Sequence, residues 1–192
     1  MTSTKQYKLL SVKMLDNIAL VTLTRPAKRN AINLDLVSEL NQCFQSFSEN
    51  VKAIILNSEG DHFCAGLDLS EVREHTVPQS VMHSRMWHEA FNHIQFGQAP
   101  VIAVMHGAVV GGGLELASAT HIRIAESTAF YALPEGKRGL FVGGGGSVRI
   151  SRLIGVNRMT DLMLTGRVLN AEEGQQIGVS TYLTEPGKGL DK

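Results

Sequence analysis

The sequence lacks the raw material for several common architectures. It has two cysteines, Cys43 and Cys64, in 192 residues, so no disulfide framework organises it. It has no surplus charge: 18 basic and 18 acidic side chains give a formal net charge of zero. Polyanion binding through counterion release needs clustered surplus Lys and Arg, so a nucleic-acid ligand is not expected. The segment Met1–Tyr7 has no apolar run of the kind a secretory leader carries. The longest weakly polar stretch, Ala99–Ala119, is interrupted by His106, Glu115 and four glycines. An unpaired carboxylate in lipid is costly, so a membrane span is not expected either. These absences describe a globular chain expected in the cytoplasm.

Common cofactor and metal signatures are missing too. His83, His88 and His93 are five residues apart, which on a helix turns each about 140° from the last. They cannot share a face, and His88-Glu89 with His93 is one residue too long for a zinc helix motif. No metal site is expected. Gly111–Gly113 and Gly143–Gly146 complete neither a dinucleotide fingerprint, nor a phosphate loop, nor a nucleophile elbow. Alone, each cluster reads as a helix start packed closely on a neighbour.

What is present is an alternation of strands and helices. At this length about 70% of the extended chain's surface can be buried, enough for one core, so residues 1–192 read as one domain. Tyr7–Met14 and Ile18–Thr24 read as a strand pair joined at Asp16-Asn17. Asn33 is placed to cap a helix carrying Leu36, Val37, Leu40, Phe44 and Phe47. Further strands are expected at Lys52–Asn57, Val101–Met105, His121–Ala125, Ala129–Tyr131 and Ser180–Leu183. Helices are expected from about Gln79 to Phe96, from Gly111–Gly113 to about Ser118, after Gly143–Gly146, and at Asn170, where Glu173 completes a capping box. The tail Glu185–Lys192 reads as a linker. The whole is an α/β chain.

Two strand-to-helix junctions stand out. Asp61–Leu69 (DHFCAGLDL) follows one buried strand, and His106–Ala117 (HGAVVGGGLELA) follows another. Unpaired backbone N–H groups at such junctions can stabilise an oxyanion. Glu115 and Glu135 lie near glycines in apolar surroundings, where a carboxylate acquires a raised pKa suited to acid/base work. The competing reading makes Glu135 a turn cap and Glu115 half of a buried ion pair.

The segments RPAKRNAIN (Arg25–Asn33), CAGLDL (Cys64–Leu69), HGAVVGGGLELA and PEGKRGLFVGGGGSVRISRLIG (Pro134–Gly155) together resemble the crotonase, or enoyl-CoA hydratase/isomerase, superfamily. The resemblance implies ββα units wound into a spiral, acyl-CoA substrates, assembly as a homotrimer or a dimer of trimers, and no cofactor beyond the substrate's coenzyme A. By position, Ala65 and Gly112 would supply the oxyanion-hole N–H groups, and Glu115 and Glu135 would be the catalytic glutamates. Lys28, Arg29 and Ala31 would lie along the CoA, and Ala65, Gly66, Leu67 and Asp68 would line the acyl channel.

The implied reaction is hydration of an enoyl-CoA. A double-bond isomerase and a non-catalytic, interaction or RNA-binding member are the alternatives. Three departures from the family pattern stand out, of which the first two bear on the substrate. Gly136 and Val142 replace a larger apolar residue and a proline, the latter beside the extra Gly144, and both are expected to reshape the acyl pocket. The helical C-terminal segment usual in the family would follow Lys192, so the chain reads as a core truncated at its C-terminus.

Overall fold

Ala19, Val21 and Leu23 alternate with more exposed neighbours, as do Ile54, Leu56 and Ser58. That period of two is the signature of strands with one face on a core. In the computed structural model, residues 6–71 and 76–192 are described. The first five residues, on which part of the leader reading rests, lie outside them. Among the described residues the chain order is β1 (Leu10–Leu15), β2 (Ile18–Leu23), α1 (Leu34–Ser46), β3 (Ala53–Ser58), α2 (Val77–Gln95), β4 (Val101–Met105), β5 (Ala108–Val110) and α3 (Gly112–Ser118). It continues with β6 (Ile122–Glu126), β7 (Phe130–Ala132), α4 (Gly146–Ile154), α5 (Val156–Thr165), β8 (Val168–Asn170), α6 (Ala171–Ile177) and β9 (Tyr182–Thr184).

The larger sheet has the order β1-β2-β3-β4-β6-β9, antiparallel at β1/β2 and parallel throughout the rest. A smaller sheet, β5-β7-β8, pairs β5 and β7 in parallel. The ββα unit recurs as β1-β2-α1 and β4-β5-α3. Because β3, β4 and β6 run in parallel, their C-terminal ends open on one edge, the edge where α/β sheets bind ligands.

The helices begin where local chemistry starts them. The Asn33 side chain accepts the Leu36 N–H at 3.0 Å. At α6, Asn170 and Glu173 exchange two bonds of 2.8 Å, satisfying donors that the helix itself cannot. α1 buries Leu36, Val37, Leu40, Cys43 and Phe44, and α2 buries Trp87, Ala90, Phe91 and Ile94. α3 differs from both: all seven of its residues are buried.

Several expected boundaries move. β1 starts at Leu10 rather than Tyr7, and α2 starts at Val77. The segment Ala108–Val110 forms a separate strand, β5, too short to show a period of its own. α5 and β8 are additional elements. The tail is not a free linker, because the Glu126 carboxylate accepts the Gly187 N–H at 2.8 Å and the Gly189 N–H at 3.2 Å.

Candidate active site

Two loops are pressed together by glycine. Cys64 donates to the Ala108 carbonyl at 2.9 Å and accepts from Val110 at 3.1 Å, so the chain after β3 runs beside β5. Gly66 has φ +91°, and a Cβ there would stand 2.7 Å from the Val110 carbonyl oxygen. A Cβ on Gly113 would strike the Cys64 carbonyl. Only residues without side chains permit this approach.

The approach brings the Leu67 and Gly112 amides into one neighbourhood. A Cβ on Gly112 would lie 3.5 Å from the Leu67 nitrogen, and one on Gly66 would lie 3.2 Å from the Gly112 nitrogen. Among the described residues neither the Leu67 N–H nor the Gly112 N–H has a hydrogen-bond acceptor. The Ala65 N–H, expected in this role, instead donates to the Arg29 carbonyl at 3.0 Å. That corrects the sequence assignment: the second open donor is Leu67. The cause is the left-handed turn at Gly66, which reverses the direction of the amide plane between neighbouring residues.

Glu115 projects from α3 and is 4% exposed. Its Oε1 accepts from the Gly144 N–H at 2.7 Å and the Gly146 N–H at 2.9 Å. Burial pushes its pKa up to about 7, against the lowering effect of the Gly146 bond and with added repulsion from Glu135. Glu135 sits in the Pro134–Arg138 turn after β7, beside Gly111. Burial raises its pKa too, partly opposed by its own backbone N–H and by Arg138. Its Oε2 is buried with no hydrogen-bond partner among the described residues.

These groups open on one cavity of about 310 Å³, lined by Ala65, Gly66, Leu67, Gly112, Glu115 and Glu135, with Trp87, Leu140 and Phe141 among its apolar walls. So six of the sequence-predicted positions meet there. Asp68 does not. Its carboxylate pairs with Arg25 at 2.7 Å and accepts from the Ser70 hydroxyl at 2.6 Å. The Ser70 bond and the Arg25 pair hold its pKa down at about 2. It is a brace beneath the loop, not a wall of the channel. Lys28 and Arg29 are exposed and Ala31 is half-buried, and none of the three lines the cavity. Their segment is shaped by Asn30, which is fully buried and donates to the Glu59 and His62 carbonyls.

The two substitutions expected to reshape the pocket also point elsewhere. A Cβ on Gly136 would strike the Met163 carbonyl of α5, and Val142 is buried against Gly146. Gly144 is the departure that does face the cavity. A side chain there would meet Trp87 at 3.1 Å and Glu115 Oε1 at 3.2 Å. Trp87 and Arg149 are site residues that sequence reasoning misses. Trp87 stands among ordinary helical core positions, and Arg149 lies inside the resembling segment Pro134–Gly155, where the resemblance assigns it no role. No group of three or more His, Cys, Asp or Glu that could hold a metal occurs among the described residues. No described helix is long and apolar enough to cross a membrane.

The α/β fold thus brings two glutamates and two open amides to one cavity, and comparison with known proteins gives the family. The enoyl-CoA hydratase/isomerase family profile matches residues 13–184. The chain belongs to this family, the crotonase superfamily. It is 33% identical over 174 residues to the short-chain-enoyl-CoA hydratase of Clostridium acetobutylicum, covering 89% of this chain and 67% of that protein. A crystal structure from Rhodopseudomonas palustris CGA009, provisionally described as an enoyl-CoA hydratase, is 50% identical with a TM-score of 0.93. The match covers 98% of this chain and 74% of that one. A similarly described protein from Thermobifida fusca YX, solved in complex with CoA, is 26% identical with a TM-score of 0.87, over 95% and 74% of the two chains. The chain spans 57% to 67% of the length of the first curated relatives it matches.

Proposed function

We propose that this chain carries the site of an enoyl-CoA hydratase, adding water across the 2,3 double bond of an enoyl-CoA thioester. The observation that carries the reading is the placement of Glu115 and Glu135 on the same cavity as the open Leu67 and Gly112 N–H groups. A thioester carbonyl oxygen received by those two amides is polarised, which makes C3 electrophilic. Preorganised donors of this kind contribute about 3–4 kcal/mol each to a developing oxyanion.

The surroundings divide the labour between the carboxylates. Two backbone N–H groups and the Arg149 charge favour the ionised form of Glu115, so it is the base. It takes a proton from water as the water oxygen bonds to C3. The buried, unpartnered Oε2 of Glu135 suits a neutral carboxyl group, which delivers its proton to C2. The thioester supplies the activation, so the reaction needs no cofactor. Lys28 and Arg29, outside the cavity, are placed in this reading at the phosphates of the CoA, and the working assembly is a homotrimer or a dimer of trimers.

The test is loss of the enoyl-thioester absorbance with crotonyl-CoA and longer 2-enoyl-CoAs, with products weighed by mass spectrometry. A gain equal to the mass of one water is expected. Conversion of 3-enoyl-CoA to 2-enoyl-CoA without any hydration would assign the isomerase reaction instead.

A further inference from the structure

Arg149 lies on α4 and is buried, yet among the described residues it makes no ion pair within hydrogen-bond distance. Its guanidinium is engaged on three sides. Nε donates to Gln95 Oε1 at 2.7 Å, one terminal nitrogen donates to Asn92 Oδ1 at 2.7 Å, and the other donates to the Gly144 carbonyl at 3.0 Å. Gln95 and Asn92 belong to α2, so the arginine ties α2 to the glycine loop 143–146. That same loop donates two N–H groups to Glu115 Oε1.

The loop has little means of its own to hold this shape. Gly145 has φ +97°, and a Cβ there would collide with the Arg149 guanidinium. A Cβ on Gly146 would stand 2.5 Å from Glu115 Cγ. Glycine is required for the fit, and glycine is also the residue least able to keep a loop in one conformation. An external clamp is therefore needed, and the planar guanidinium, with donors in a rigid fork, is suited to bind three acceptors at fixed angles.

We propose that Arg149 is a positioning residue: through the Gly144 carbonyl it fixes the glycine loop, and through the loop it fixes one carboxylate oxygen of Glu115, leaving the other for the reacting water. The proposal rests on the hydratase reading for the role of Glu115, but the clamp itself can be tested without turnover. Among the described residues the charged and titratable groups around this carboxylate are Glu135 and Arg138 from the turn after β7, Arg149 from α4, and His83 and His88 from α2, the last lying against Gly145.

The experiment compares Arg149→Lys and Arg149→Met with the wild-type chain. Two readouts are used: hydration kinetics, and the titration of Glu115 followed by NMR of protein labelled with carboxyl-13C glutamate, its signal assigned by loss in Glu115→Gln. Lysine keeps the charge but cannot bind the three acceptors together. It is expected to lower kcat about ten- to a hundredfold with KM little changed, the size of effect that a small misplacement produces. Methionine removes the charge as well, and the Glu115 titration moves to higher pH.

A merely structural role would lower the melting temperature and leave both kcat per folded site and the Glu115 titration unmoved. That result would overturn the proposal. If Arg149→Met does not fold, Arg149→Lys decides, and wild-type kcat in it overturns the clamp. If the wild-type chain hydrates nothing, the hydratase reading fails separately. The NMR titration of Arg149→Lys, which keeps the charge, then decides for the clamp: a shift of Glu115 to higher pH supports it, and an unmoved titration overturns it.

Discussion

Glu115 and Glu135 share a cavity and a chemistry but are held in opposite ways. Glu115 comes from a helix buried on all sides, and its Oε1 is fixed by two backbone donors. Glu135 comes from a half-exposed turn of one 3-10 helix, and one of its oxygens is buried with no partner among the described residues. Both have raised pKa values through burial, so desolvation alone does not tell them apart. The difference lies in hydrogen bonding: donors support an anion at Glu115, whereas an unpartnered oxygen favours a proton at Glu135. In the proposed reaction the first serves as base and the second as acid, two roles from one residue type.

The largest test of this contrast is to make both positions neutral. Glu115→Gln and Glu135→Gln should each lower hydration by about 10²–10⁴. The double variant should be little worse than either, because residues that act on one water are not additive. Near-normal turnover in one single variant would break the two-carboxylate division. Somewhat smaller is the effect of removing the amide that serves both. Proline at Gly112 deletes an N–H with no helical acceptor, and should lower turnover about 10²–10³ while a saturated acyl-CoA still binds. Circular dichroism and thermal melting check that the fold survives.

Stability gives a finer separation. From the ordinary carboxylate range up to about 7, folded Glu115 keeps a proton that the unfolded chain has released. Stability therefore falls as pH rises through that window and is flat above it. Glu115→Gln, free of this effect, should exceed the wild type at about pH 8 by on the order of 3 kcal/mol, and match it near pH 4, in urea unfolding. Glu135→Gln should show the same sign with a smaller gain.

Asp68 supplies the control with the opposite sign. Its folded pKa of about 2 gives stability that is present above the ordinary Asp range and lost as pH falls toward that value. Asp68→Asn should cost on the order of 2 kcal/mol at neutral pH and only a small part of that near pH 2, with the smallest change in turnover of the set.

Much of this arrangement is legible from residues in order. Asn33, and Asn170 with Glu173, announce helix starts because capping is settled within four residues. Alternation marks β2 and β3, and the two glutamates stand beside the glycines that frame them. The open amide falls at Leu67 and not at Ala65, because the direction of an N–H depends on the positive φ of Gly66 and not on residue type. Asp68 reads as part of the channel since nothing local indicates that Arg25, distant in sequence, turns it away. Arg149 is invisible for the same reason. Its partners Asn92 and Gln95 are brought to it only when α2 packs across the glycine loop.

The burial of α3 on every side has a consequence for how the molecule opens. Amides inside this helix are shielded by β5 and α4, so their exchange with deuterium requires unfolding of the surrounding core. The Gly112 amide lies on the cavity with no acceptor among the described residues, and is expected to exchange without that unfolding. Within one short helix, protection thus runs from the fastest class to the slowest. The open edge of the cavity thus rests on a helix packed on every side.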